Sequence, residues 1–115
     1  MGLNLKINDV PVTVEWEDNE STAALREIIK SGQLRISMSR YGGFEQVGAI
    51  GQKLPRNDMQ IVTGPGDIVL YSGNQIVIFY GSNSWAYTRL GHVTGKTRAE
   101  LAALLGGNDV TLTFF

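Results

Sequence analysis

The chain has 115 residues, 43% of them hydrophobic and 18% charged, which suits one domain spanning residues 1–115 and excludes a disordered segment. Its formal net charge is −1, with Lys and Arg scattered among Asp and Glu, so it lacks the basic stripe that neutralises phosphates and no nucleic-acid partner is expected. Without cysteine there is no disulfide framework and no thiol chemistry.

The amino terminus alternates polar and apolar residues and has no signal-peptide core. The longest apolar run, Ile76-Val77-Ile78-Phe79-Tyr80, falls far short of the ~20 residues of a membrane span. A cytoplasmic chain with no membrane contact is therefore expected. Leu3, Leu5 and Ile7 share one strand face, and after Asn8-Asp9 the period of two resumes at Val10, Val12, Val14 and Trp16. Two turn formers between alternating runs predict a hairpin. The acidic group Glu15, Glu17, Asp18 and Glu20 reads as a solvated strand end and turn.

Leu25, Ile28 and Ile29 then follow helical spacing, with Asn19 or Ser21 to cap the start and Gly32 to end it. Leu34, Ile36 and Met38 alternate with polar residues and predict a strand. From Arg40 to Gly48 the chain is expected to leave regular structure, and Arg40-Tyr41-Gly42-Gly43 within it reads as a flexible loop that forms a lid or groove wall or simply a hairpin tip. Residues 49–66 read as a long loop with a short strand at Met59–Val62, and loops of this length are often functional. Asp67–Tyr71 and Gln75–Tyr80, joined by Ser72-Gly73-Asn74, give the strongest hairpin signal, and the second run is apolar enough to be buried on both faces. A further strand runs from Trp85 through Val93. Thr97-Arg98-Ala99-Glu100 is a capping box opening a second helix with Leu101, Leu104 and Leu105 on its apolar side. Val110, Leu112 and Phe114 alternate in a closing strand.

Few helices and mostly antiparallel strands predict a mainly β fold, a closed barrel of about eight strands with two amphipathic helices at its ends. Gly91-His92-Val93-Thr94-Gly95, followed by a helix and a last strand, resembles the carboxy-terminal third of cyclophilins. The segments Gly66-Asp67, Phe79-Tyr80 and Tyr87-Thr88-Arg89-Leu90-Gly91 bring the chain closer to small bacterial and archaeal cyclophilin-like proteins. Element order agrees along nearly the whole chain, and the residue likeness is concentrated from about residue 65 onward. The resemblance implies the barrel and raises proline isomerisation as one alternative activity. That reaction needs no nucleophile: an apolar pocket holds the proline, and a guanidinium bonds the amide nitrogen as resonance is lost. Arg40, Phe44 and Gln46 occur in the order of the isomerase residues, at a spacing about two residues shorter. In cyclophilins a tryptophan and a histidine from a later loop complete the groove; here Tyr87 falls near the place of that histidine, and Trp85 lies in the same loop at a different offset from that tryptophan.

The main expectation is a barrel that binds a small molecule or short peptide without catalysis, in a groove near Arg40, Tyr80, Trp85, Tyr87 and Arg89. Arg89 with two aromatic neighbours can anchor a carboxylate, phosphate or amide, or it can pair with a carboxylate such as Asp67. Tyr71, Phe79 and Tyr80 can line the same groove or simply fill core. His92, the single histidine, has no cysteine or carboxylate cluster to make a zinc site, and no Gly-x-Ser-x-Gly elbow accompanies it. Gly64-Pro65-Gly66 lacks the lysine and helix of a phosphate loop. No metal and no cofactor are expected. A further alternative is a non-catalytic domain that assembles with another protein; on self-association the sequence is silent.

Overall fold

A computed structural model describes residues 2–115. The chain opens with the expected hairpin, β1 (Leu5–Ile7) and β2 (Val10–Trp16), in register Leu5↔Val12 and Ile7↔Val10. Asn8 takes φ 54° in its turn, a conformation that asparagine tolerates better than most residues. Helix α1 (Glu20–Ile29) starts at Asn19, whose side chain accepts the Thr22 N–H at 2.9 Å. Strands β3 (Leu34–Ser37), β4 (Ser39–Tyr41), β5 (Glu45–Ala49), β6 (Met59–Val62), β7 (Asp67–Tyr71), β8 (Gln75–Phe79) and β9 (Ser84–Thr94) follow. Helix α2 (Arg98–Leu105), with the Thr97–Glu100 capping box formed, and β10 (Thr111–Phe114) complete the chain.

Among the described residues the strands hydrogen-bond in the order β3-β10-β1-β2-β9-β7-β8-β5-β4, and β6 joins β9 off this path. The two outermost positions are held by consecutive segments. Only Met38 separates β3 from β4, so one bent stretch pairs with β10 at one end and with β5 at the other. Counted as a single stave, that stretch makes the barrel eight-stranded, as expected. Closure requires β3 to lie close on β5 at Gly48. A Cβ there would stand 2.6 Å from the Ser37 carbonyl and 2.6 Å from the Met38 sulfur.

Alternation then sorts side chains by face. Ile68 and Leu70 of β7, Ile76 and Ile78 of β8, and Leu5, Ile36, Leu112 and Phe114 fill the interior. Val69, Val77 and Phe79 point the other way into a second, outer cluster. The run read as buried on both faces is so because both faces of β8 are covered. Each buried Leu or Ile contributes ~1.5–3 kcal/mol relative to exposure.

The helices plug opposite ends. Ser21 of α1 donates to the Pro55 carbonyl, and the neighbouring Leu54 N–H reaches Gly73 in the β7–β8 turn. Leu101 of α2 instead lies near Gly66, just before β7, while Gly106 lies near Tyr80, just after β8. Among the described residues no helix is long and apolar enough to cross a membrane.

One expectation is corrected. Residues 40–48 do not leave regular structure: β4 and β5 form a hairpin in register Arg40↔Gln46 and Tyr41↔Glu45. Gly42 and Gly43, at φ 66° and 71°, make its turn. The polar sequence hid the strand because the inward position of β5 carries an amide, Gln46, where an apolar residue would signal burial.

Candidate functional site

The outer faces of β5, β7, β8 and β9 carry a cluster in which Val69, Val77, Phe79 and Tyr87 are buried and Phe44, Val47, Ile61 and Tyr71 pack against them. Above it opens a groove of about 570 Å³, with Val47 and Val77 among its lining residues. Tyr41 and Phe44 stand on the β4–β5 turn, their rings edge to face at 6.2 Å. Gly42, at φ 66°, suits that turn, and a Cβ there would sit 2.2 Å from the Phe44 ring and push it from its place. Tyr71, Trp85 and Tyr87 complete the aromatic lining, Tyr87 meeting Tyr71 at 6.1 Å and Phe79 at 5.7 Å.

Asn83 fixes the polar end of Tyr87 by donating to its hydroxyl at 2.9 Å. Asn83 is itself held by the buried Thr63, whose hydroxyl donates to the Asn83 carbonyl and accepts its N–H. Burial pushes the Tyr87 hydroxyl above its ordinary pKa, against the lowering effect of the Asn83 bond. Glu45 lies in the same groove, only 6% exposed. Burial raises its carboxyl from 4.5 to about 7. Among the described residues its carboxylate has no side-chain hydrogen-bond or ion-pair partner.

Of the residues expected to form a binding site, Trp85 and Tyr87 line this groove. Arg89, two positions along β9, pairs with Val69 on the same outer face but lies beyond the groove lining. Its guanidinium lies 3.5 Å from Asp67 and 3.4 Å from the Val62 carbonyl, and remains 42% exposed. Asp67 is shared: it also meets His92 Nδ1 at 2.8 Å and accepts the Gly64 N–H at 2.8 Å. The ion-pair alternative for Arg89 is thus the geometry present, a half-exposed guanidinium against a largely buried carboxylate. Arg89 also borders a second concavity with Glu17, Glu20 and Arg56, which adjoins the groove across Tyr87. Tyr80 packs against the interior cluster beside Gly106, away from the groove. Arg40 turns to Asp109, its N–H donating at 3.0 Å and its guanidinium lying 3.6 Å away.

The isomerase trio is likewise divided. Phe44 borders the groove, whereas Gln46 is fully buried on the barrel side of β5. Its amide donates to the carbonyls of Leu105 and Asn108 and accepts the Val110 N–H. Gln46 therefore ties β5 to the α2–β10 connection. Glu45 and Asn83 escaped the sequence reading; one follows from the unrecognised β5, the other sits in a turn cluster with no pattern of its own. Among the described residues no cluster of three or more His, Cys, Asp or Glu could hold a metal.

Neither a curated protein nor a solved structure matches the chain. A family match covers residues 5–114, from β1 to the end of β10. With the barrel order and the capped second helix, it establishes that the chain belongs to the cyclophilin-like family.

Proposed function

We propose that this barrel is a binding domain, without catalysis of its own, that takes a small molecule or short peptide in the groove between the β4–β5 turn and the start of β9. The observation that carries this reading is the lining itself: Tyr41, Phe44, Tyr71, Trp85 and Tyr87 surround one concavity. Tyr41 is 64% and Trp85 55% exposed, so large apolar rings stand in water at the rim. Covering such rings is favourable, and Gln75 and Asn83 supply the few polar groups that orient a ligand. The cysteine-free composition supports a cytoplasmic setting.

Absence of catalysis is supported by how the candidate groups are engaged. The Gln46 amide is satisfied inside the barrel, Arg40 pairs with Asp109, and His92 meets Asp67 outside the groove. A protease-coupled assay with proline peptides is expected to show no rate above background. A thermal-shift panel of amines, carboxylates, phosphates and Pro-containing peptides tests binding. At least one class should raise the melting temperature, and Trp85→Ala should abolish the shift. A panel with no hits, or hits indifferent to both Trp85→Ala and Tyr71→Ala, would overturn the reading.

A further inference from the structure

Resting on the reading of this groove as a binding site, we propose that its ligand carries an alkylammonium head, held by the Glu45 carboxylate and the surrounding rings of Tyr71, Trp85 and Tyr87. Three observations converge. Glu45 is 6% exposed yet lines the groove, and its carboxylate lacks any side-chain partner among the described residues. A carboxylate so enclosed and without a side-chain partner is costly, and buried polar side chains elsewhere, Gln46 and Thr22 among them, are hydrogen-bonded, with Asn74 Oδ1 the exception. The lining contains no Lys, Arg or His, so no charge of the protein's own answers it. Aromatic rings around a carboxylate complement an organic cation, because ring faces and carboxylate both attract positive charge.

An anionic ligand meets the wrong charge in this groove. A neutral ligand can hydrogen-bond the carboxyl but leaves its charge uncompensated. A cation supplies what the site lacks and draws Glu45 into its ionised form. The titratable groups facing Glu45 are tyrosine hydroxyls, Tyr41 from β4, Tyr71 from β7 and Tyr87 from β9, and β8 offers Val77, Phe79 and Gln75. Cation binding therefore releases the proton of whatever fraction of Glu45 carries one, and affinity rises with pH up to and through about 7.

Calorimetric titration with choline, and with its uncharged carbon analogue 3,3-dimethylbutan-1-ol, tests the proposal. Acetyl-trimethyllysine amide, run alongside, separates a free cation from a peptide side chain as the source of the head. Choline or the lysine derivative should bind roughly tenfold tighter than the neutral analogue, and Glu45→Gln should erase both that ratio and the pH dependence. Equal binding of the charged and neutral probes, or a ratio that survives Glu45→Gln, overturns the cation inference and leaves the groove reading intact. So does binding by other members of the thermal-shift panel when no cation binds. If no probe and no panel member binds, the groove reading itself fails.

Discussion

Glu45 couples the groove to stability through its proton. The carboxyl holds that proton to about pH 7 in the folded chain, against 4.5 as its ordinary value, because burial penalises the charged form. Between these two values the folded state binds more protons than the unfolded state, so stability falls as pH rises. Below about 4.5 both states are protonated and the penalty is absent; above about 7 both are ionised and it is complete. The full shift corresponds to about 3 kcal/mol, and water access through the groove reduces the expected effect to about 2 kcal/mol. Urea unfolding of Glu45→Gln and its parent should give equal stability near about pH 4 and a variant more stable by about 2 kcal/mol near about pH 8. A difference that stays flat across that range would show that Glu45 is not desolvated. The neighbouring Gln46 makes the opposite use of burial, its amide joining Leu105, Asn108 and Val110. These two adjacent residues mark where sequence reading failed. A polar pair in a short segment carries no periodic signal, and only the register of β5 assigns one side chain to the groove and the other to the barrel.

Elements with hydrophobic alternation or caps were legible. The β1–β2 and β7–β8 hairpins, the Asn19 and Thr97 caps and the closing strand β10 lie where local pattern places them, within a residue or two. In each, one short segment contains its own physical cause. Closure of the barrel has no such local cause. It depends on β3 and β4 being one bent stretch and on its β3 end approaching β5 at Gly48, eleven positions beyond Ser37. A side chain at Gly48 meets the Ser37 carbonyl and the Ile36 and Met38 side chains at once, all within 2.7 Å of its Cβ. Gly48→Val should therefore destabilise the domain by about 1–3 kcal/mol through overpacking at the seam. Chemical unfolding measures the loss, and backbone amide exchange should place increased opening at β3–β5. The same substitution at Gly43, whose Cβ would meet nothing within 4 Å, separates the steric cost from the conformational one, since φ is 71° there and crowding is absent.

On the scale of the whole molecule, the two faces of the sheet are assigned different work. The interior cluster joins residues from strands all round the barrel and from both helices, so it holds the fold together. The outer cluster is local to one wall and ends in exposed rings. This division explains why the barrel was readable while most of the site was not. The interior is written as repeated apolar alternation along the chain. The groove is assembled from β4, β5, β7, β8 and β9, and each contributes one or two residues that mean little alone. Trp85 and Tyr87 were recognisable because an aromatic pair on one strand is visible without knowing its neighbours. Arg89 shared that strand and face, but it lies past the end of the groove, where its guanidinium meets Asp67. Stability and binding should consequently respond to different substitutions. Leu112→Ala, at 0% exposure in the interior, should cost about 2–5 kcal/mol by leaving a cavity in a fully packed region. Trp85→Ala, at the rim, should change stability by no more than about 0.5 kcal/mol while removing ligand-induced thermal shifts. Urea midpoints of the two variants, measured with and without a panel hit, decide the matter. A loss above about 2 kcal/mol for Trp85→Ala would make the outer cluster a structural element in its own right, with the exposed rings serving the fold before any ligand.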